Sequence, residues 1–404
     1  MDMKILANPR VALILLLAAI FGAYIGESIY GTVFNNYFND VQRIGTDARG
    51  FLEFPRELPG VLSVFAVGAL FFLKEIHIAS VAALLLGIGI AAMALPAVTD
   101  NYAIVLLLVA LASLGQHIMM VVVDAIVLHT SSPENRSIQL GQMRSLITLA
   151  GLAGAGLVCL NSSFTFSFLI AGGFCVAAAV LFLFVRDDRF PEHKSLKERL
   201  VVRKKYSKYY WLEVFFGARK QVFITFGLWV MVYLLEKDTA YVAKLFLITN
   251  IIGVVFKPMV GKLIKSYGER RILVFDSICL FFVCLGYAFS LQIFSLPLAT
   301  AVITCCFVLD NLLFAFGAAR STFLARIVDN KEELTPSLYT GMAINHVFSI
   351  SAALVGGHIW TYSGSHVWVF LLAALLAICS GFVASGIPEA GIPAKMPEVL
   401  PDEE

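Results

Sequence analysis

Long apolar runs separated by short polar stretches set the pattern of this chain. A helix needs about 20 apolar residues to cross the hydrocarbon core of a bilayer. Most connections are short, so consecutive spans must run antiparallel. Twelve segments qualify, approximately residues 11–34, 57–73, 78–98, 102–128, 138–160, 164–185, 211–235, 239–260, 271–291, 295–318, 337–360 and 366–386. The pattern predicts an all-α polytopic membrane protein with twelve transmembrane helices in two six-helix halves.

The longest polar stretch lies between the sixth and seventh predicted spans and carries nine lysines and arginines. It divides the chain into near-equal parts. We therefore predict an N-terminal half at residues 1–185, a cytoplasmic basic linker at 186–210, a C-terminal half at 211–390 and a disordered acidic tail at 391–404.

Composition and charge distribution support a membrane setting. Only 14% of the 404 residues are charged, whereas a soluble domain carries about 25%, and the mean hydropathy is +0.84. With both termini on the linker side, the cytoplasmic segments hold about 21 of the 30 Lys and Arg residues and the outer loops hold three, Arg43, Arg49 and Lys237. Cytoplasmic loops carry the excess of positive charge, so we predict a multi-pass protein with both termini in the cytoplasm, in the inner membrane if the source is bacterial.

A short basic connection, G-K-L-I-K-S-Y-G-E-R-R-I-L, follows the eighth predicted span. It resembles the inter-helix loop signature of the major facilitator superfamily of transporters, whose positions are matched by Gly261, Leu263, Gly268, Arg270 and Leu273. The resemblance implies two halves that rock around a central site formed chiefly by spans one, four, seven and ten.

We predict a structural role for two glycines of this loop and note one departure from the family pattern at a lysine. Gly261 is expected to let two helix ends approach closely, and Gly268 to supply the positive φ that a tight turn needs. Lys265 stands where the family usually has an acidic residue, the anchor of a charge relay in this loop.

Ionisable side chains at membrane depth are costly, so they usually face a cavity or a partner. Glu27 in the first span is a candidate coupling residue, because a buried carboxylate can take up and release a proton. The alternative is a helix-packing acid that is bound to a neighbouring Tyr or Asn.

Spans four and five place an acid and a base at the same depth. Antiparallel neighbours at matched depth predict an ion pair between Asp124 and Arg144. The pair could be a gate that breaks as the halves move, or a static buttress, because a buried pair is weak evidence for any further role. His117 lies nearer the middle of span four.

Span seven brings Arg219 and Lys220 about two turns into the bilayer. Long cationic side chains can snorkel back to the headgroups, but consecutive helical residues point in different directions, so one of the two can face a cavity. Arg219 presents a planar fork suited to a carboxylate or phosphate.

Spans ten and eleven carry Asp310, Asn345 and His346 at similar depth. Asp310 and His117 occupy corresponding spans of the two halves, so both could face a central cavity. Histidine titrates near neutral pH and could carry a proton; the alternative for His346 is a hydrogen bond between helices.

Two further charges are predicted at the membrane surface. Arg320 is expected at the cytoplasmic interface, where it would fix topology. Glu57 is expected at an external helix start, near the positive end of the helix dipole.

Missing motifs exclude several functions. The sequence has no P-loop, no H-E-x-x-H and no G-x-S-x-G, and its seven cysteines lack metal-site spacing. We expect no enzyme activity, no cofactor, no metal and no nucleic-acid partner. The expected partners of this monomer are a small-molecule substrate, protons and the lipid bilayer.

Together these features predict a secondary active transporter of a small organic solute, proton-coupled and working by alternating access. The cations of spans seven and eight slightly favour an anionic or zwitterionic substrate. One alternative is a proton-driven exporter of amphipathic compounds, suggested by the 33 phenylalanines. A second is a non-transporting membrane receptor or lipid-handling protein on the same fold.

Overall fold

The computed structural model describes residues 9–69, 73–130, 136–185, 202–328 and 333–389. Within these ranges the chain forms helices and no strands. Most of the predicted linker and the whole predicted acidic tail lie outside the described residues.

The first half begins with a long helix that continues into a π-helical turn at Tyr37–Val41. After the loop at residues 42–45, a short helix and a longer one follow, separated from each other only by Leu52. The helices of this half are α1 (Pro9–Asn36), α2 (Thr46–Phe51), α3 (Glu53–Ala69), α4 (Glu75–Ala92), α5 (Pro96–Thr99), α6 (Tyr102–Thr130), α7 (Arg136–Leu160) and α8 (Phe164–Phe184).

The second half contains the helices α9 (Ser207–Val222), α10 (Thr239–Ile293), α11 (Leu296–Leu313), α12 (Ala318–Ile327), α13 (Leu334–Ser363) and α14 (Val367–Ser385). Two π-helical segments, Phe223–Gly227 and Val230–Leu234, extend α9 beyond its end. A 3₁₀ turn at Phe314–Gly317 joins α11 to α12.

The helical stretch α10 is two helices joined at one residue. At about 1.5 Å per residue it would be far longer than a bilayer core. Gly268 breaks it, with φ 79° and ψ 159°, a backbone conformation that only glycine adopts readily. We call the two parts α10a (residues 239–267) and α10b (residues 269–293).

In the described part of the chain, nine segments are long and apolar enough to cross a membrane. The segment Thr239–Ile293 counts as one of them although it contains the break at Gly268. Helices α3, with 17 residues, and α9, with 16, fall just below the 18 residues required of such a segment. The chain is thus an all-helical, multi-pass protein, and the number of twelve crossings stays a prediction.

Buried apolar side chains form two separate clusters. One consists of residues between Ala12 and Val185, joined by Ala243. The other consists of residues between Tyr206 and Ile387. Each half therefore has a hydrophobic core of its own, and contacts between the halves need not be as apolar as either core.

The halves meet chiefly where three pairs of helices pack. Helices α2 and α3 pack on α13, and α7 packs on α10a. Glycines permit the close approach: a Cβ at Gly50 would lie 3.0 Å from the Cα of Gly357, and one at Gly151 would lie 3.3 Å from Asn250 Nδ2. This is the small-residue packing that membrane helices use.

We name the two ends of the bundle by their loops. The far side carries residues 42–45, 235–238 and 364–366, and the linker side is the end at which residues 202–206 lead into α9. On the linker side the Tyr206 hydroxyl donates to Glu333 Oε2 at 2.7 Å. Burial raises the pKa of Tyr206, and the hydrogen bond to Glu333 adds to this rise. The linker is thus fastened to the start of α13.

Candidate functional site

One carboxylate in the second turn of α3 makes the central polar contacts between the halves. Glu57 Oε2 accepts a hydrogen bond from His346 Nδ1 of α13 at 2.7 Å. The same oxygen lies 3.6 Å from Lys220 Nζ of α9. Glu57 is 6% and His346 is 7% exposed, so the charge of the carboxylate is balanced inside the protein rather than by water.

A second imidazole joins this cluster from α6. The ring of His117 lies 5.0 Å from that of His346, edge to face. His117 Nδ1 donates to the Ser113 carbonyl at 2.9 Å, which orients the ring and leaves Nε2 to act as a ligand or an acceptor. A Cβ at Gly60 would lie 2.7 Å from His346 Cε1 and 2.8 Å from His117 Nε2. Glycine at this position therefore allows both rings to reach α3.

Next to this cluster, a buried charge network joins α2 and α3. Arg49 Nη1 donates to Glu53 Oε1 at 2.6 Å, and Arg56 Nη1 donates to the same oxygen at 2.9 Å. Arg49 Nε also donates to Asn35 Oδ1 at 2.9 Å. The Arg49 guanidinium lies 5.9 Å from the ring of Trp229 in the second half. The network thus packs against both halves on the far side of Glu57.

Helices α9, α10b and α11 hold a second buried cluster within the second half. Arg219 Nη2 donates to Asp310 Oδ1 at 3.2 Å and lies 3.8 Å from Asp276 Oδ1. Arg219 is 3% exposed, and among the residues that the structure describes its Nε and Nη1 have no hydrogen-bond partner. A buried guanidinium with unused donors is suited to bind an oxyanion.

A third buried pair lies closer to the linker side. Arg320 Nε donates to Glu213 Oε1 at 2.8 Å, and Asn345 Nδ2 donates to Glu213 Oε2 at 3.1 Å. The Arg320 guanidinium carbon lies 3.3 Å from the ring centroid of Phe216. Arg320 is thus buried and ion-paired inside the bundle, and its role as a topology-fixing charge at the interface stays a prediction.

The remaining ionisable residues of the first half lie apart from these clusters. Gln116 Nε2 donates to Glu27 Oε1 at 2.7 Å, and Glu27 is half-buried. Arg144 Nη2 donates to Asp124 Oδ2 at 2.6 Å, and the two side chains are 55% and 37% exposed. The expected geometric pairing of Asp124 with Arg144 is present, and a role as a gate stays a prediction.

The structure thus distributes the predicted site residues over several places. It brings His117, His346 and Lys220 together around Glu57. It joins Arg219 to Asp310 in the second cluster, and binds Asn345 to Glu213 in the third. Glu27 and the Asp124–Arg144 pair belong to none of the three.

The prediction of an external helix start at Glu57 was wrong. Helix α3 begins at Glu53, and the preceding α2 is buried against α13, so Glu57 lies inside the bundle. A signal was available in the sequence. Arg49, Glu53 and Arg56 follow one another at spacings of four and three, which places charges on one helix face. Because the second span was predicted from its apolar residues, it was placed after these charges, and they were not recognised as part of the bundle.

The loop signature also takes a different form from the one expected. The chain stays helical up to residue 267 and resumes at 269, so the turn is the single residue Gly268, which has the positive φ predicted for it. The close approach predicted at Gly261 was wrong, since a Cβ there would meet nothing within 4 Å. Charges do pair around the turn: Glu269 lies 3.4 Å from Arg326, and Arg270 lies 3.6 Å from Glu389.

The family model described as Major Facilitator Superfamily matches residues 16–344, most of the chain. The fold is similar to the solved structure of the nucleoside transporter NupG, with a TM-score of 0.73 and 13% identity over 93% of this chain and 98% of that one. It is similar to a D-xylose-proton symporter, with a TM-score of 0.70 and 14% identity over 94% and 98%.

A third similar structure is a bacterial homologue of the iron transporter ferroportin in the inward-facing state, with a TM-score of 0.70 and 13% identity over 94% of this chain and 100% of that one. At such low identities these likenesses establish a shared fold. Comparison with curated protein sequences gave no match.

Proposed function

Because the chain belongs to the major facilitator superfamily, we propose that it is a proton-coupled secondary active transporter that moves a small organic solute by alternating access. The observation that carries the proposal is the meeting of charged groups from both halves at Glu57. Such groups are expensive at membrane depth and commonly line substrate and ion pathways. A rocking motion of the halves would break and remake these contacts.

Contacts on the far side support a state that is closed at that end. Asn36 Nδ2 donates to the Lys237 carbonyl at 2.9 Å, and the hydroxyls of Thr46 and Thr361 are 2.7 Å apart. Each contact joins the first half to the second. Together with the buried Arg49 network, they hold the two halves together on the far side of Glu57.

On the linker side, the Asp124–Arg144 pair supports access from that end. Arg144 and Asp124 are 55% and 37% exposed at the surface of the bundle rather than buried between helices. By the charge distribution of the loops, we assign this side to the cytoplasm. In this assignment the protein faces inward, with both termini in the cytoplasm.

The buried charges favour a zwitterionic substrate over a simple anion. Lys220 is neutralised by Glu57, and Arg219 faces both Asp310 and Asp276. The two unused donors of Arg219 could bind a carboxylate or phosphate, while the nearby aspartates could accept an ammonium group. A zwitterionic solute would pair its anionic group with Arg219 and its cationic group with the aspartates, so that no buried charge of the protein would be left unpaired.

Glu27 and Asp310 are the proposed coupling residues. Each is a carboxylate inside a predicted span, one in each half. Glu27 is held by a neutral amide, Gln116, so proton uptake there leaves no cation unpaired. Asp310 is held by Arg219, so its protonation would release the guanidinium towards a substrate.

The test uses purified protein in liposomes that enclose a pH-sensitive dye, with protein-free liposomes as the blank. Organic acids, amino acids, sugars and amphipathic cations are added one at a time. We expect protein-dependent proton entry with one class, and loss of at least about tenfold of that entry in Glu27→Gln or Asp310→Asn. Asp47→Asn, at an exposed residue of α2, is the matched control and should behave as wild type. Unchanged proton entry in both test variants would reject coupling at these residues.

A further inference from the structure

The cluster around Glu57 has a property that the transport proposal does not use. Glu57, His117 and His346 each offer one ligand atom, and these atoms all lie within 4.8 Å of one another. We propose that the three residues form a binding site for a divalent first-row transition-metal ion. The three ligands come from three helices, α3, α6 and α13, so no local sequence spacing could reveal them.

The set of ligands fits this class of ion. Two imidazoles and one carboxylate form a set that Zn²⁺, Fe²⁺ and Co²⁺ accept, with further positions left for water or another ligand. Calcium and magnesium prefer oxygen ligands, so two histidines favour a transition metal. All three side chains are at most 9% exposed, and bound metal would be shielded from bulk water.

The outer partner of His117 also fits. Metal-binding histidines commonly donate their other ring N–H to a backbone carbonyl or a carboxylate. His117 Nδ1 donates to the Ser113 carbonyl at 2.9 Å, so Nε2 is its ligand atom. The Ser113 hydroxyl in turn donates to the carbonyl of Arg56, the residue before Glu57. The orientation of His117 is thereby tied to the backbone that carries Glu57.

Two cations near the site must be compatible with a bound dication. Arg56 is paired with Glu53, whose two oxygens lie 2.9 and 3.1 Å from Arg56 Nη1 and which Arg56 shares with Arg49. Lys220 faces Glu57 itself, at 3.6 Å. In the metal-free protein Lys220 therefore supplies the positive charge that the metal would supply when bound. The ion and the Lys220 ammonium compete for the same carboxylate.

This competition gives the inference a test that does not depend on transport. Cobalt(II) is added to the purified full-length protein in detergent, and its visible ligand-field absorption is titrated. We expect one Co²⁺ per chain with absorption typical of nitrogen and oxygen ligands. His346→Ala and His117→Ala should weaken binding by at least about tenfold, the scale seen when the shell of a metal site is damaged.

Two further variants distinguish loss of a metal ligand from misfolding. His358→Ala removes an exposed histidine of the same helix as His346 and should bind Co²⁺ as wild type does. Lys220→Gln removes the competitor and should tighten binding by about tenfold or more. Absence of ligand-field absorption in the wild type, equal binding by His346→Ala, or no tightening in Lys220→Gln would each overturn the site.

The metal inference and the transport proposal can fail separately. If the protein binds Co²⁺ but moves no solute, the metal site is supported and the transport proposal is rejected. If the protein shows solute-dependent proton entry but no Co²⁺ ligand-field absorption, the transport proposal is supported and the metal site is rejected. Since the ligands belong to both halves, bound ion should also raise the apparent melting temperature of the wild type and not that of His346→Ala.

Discussion

At the scale of single residues, charges inside this protein occur in compensated groups. Arg49 and Arg56 share the carboxylate of Glu53, and Arg320 is paired with Glu213. A charge that loses its partner inside a membrane protein has neither water nor counter-ion, so removal of one member costs more than removal of both. This principle makes individual pairs testable without knowledge of the substrate.

The Glu213–Arg320 pair gives a stability prediction. Arg320→Met leaves the Glu213 carboxylate buried without its cation and should lower the free energy of unfolding by about 3–5 kcal/mol. The double variant Glu213→Gln with Arg320→Met removes both charges and should recover much of this loss. Thermal unfolding in detergent measures both. A double variant less stable than Arg320→Met would show that the pair is not the source of the effect.

At this scale the residue types could be predicted from the sequence, but their partners could not. Polar residues inside apolar runs identified His117, Arg219, Lys220, Asp310 and His346 as candidates. The sequence did not identify Glu57 as the residue that joins three of them, because this carboxylate is the first residue of the predicted second span and was taken for a helix start. Pairing across helices depends on which faces meet, and a single sequence does not specify helix rotation.

At the scale of secondary structure, the apolar pattern predicted the long helices well and their ends less well. The second span was expected to begin at residue 57, whereas α3 begins at Glu53 and is preceded by the buried α2. The connection at residues 261–273 was expected to be a loop and is helical apart from Gly268. At α3 the packing of α2 and α3 on α13 extends the helix beyond the apolar run, and in α10 the backbone conformation of Gly268 decides where the helix breaks.

The break at Gly268 gives a prediction at the level of the helix. Gly268→Ala places a Cβ on a backbone with φ 79° and ψ 159°, and it should destabilise the protein by about 1–3 kcal/mol. Gly261→Ala is the matched control, because Gly261 is helical and open space surrounds it. Alanine there should be neutral or stabilising by up to about 1 kcal/mol. Equal melting temperatures of the two variants would contradict a special role of Gly268.

At the scale of the whole molecule, the two halves have separate hydrophobic cores and meet through polar and small-residue contacts. Separate cores allow the halves to move as bodies, since their internal packing does not depend on the contact between them. The far-side contacts, Asn36 with Lys237 and Thr46 with Thr361, are few and polar. Such contacts can break and reform at low cost, as alternating access requires.

The central claim is that the far side opens and closes during transport, and a reversible cross-link tests it most directly. Thr46 and Thr361 are replaced by cysteine, since their hydroxyl oxygens are 2.7 Å apart and a disulfide spans side chains this close. Wild type and the two single-cysteine variants, treated with the same oxidant, control for the seven native cysteines.

The measurement is proton entry into proteoliposomes with the compound class found by the screen, before and after oxidation and again after reduction. We predict that oxidation of the double-cysteine variant abolishes proton entry and that a reductant restores it, with no such change in the controls. Full proton entry through a protein shown to be completely cross-linked would contradict alternating access about the Glu57 cluster.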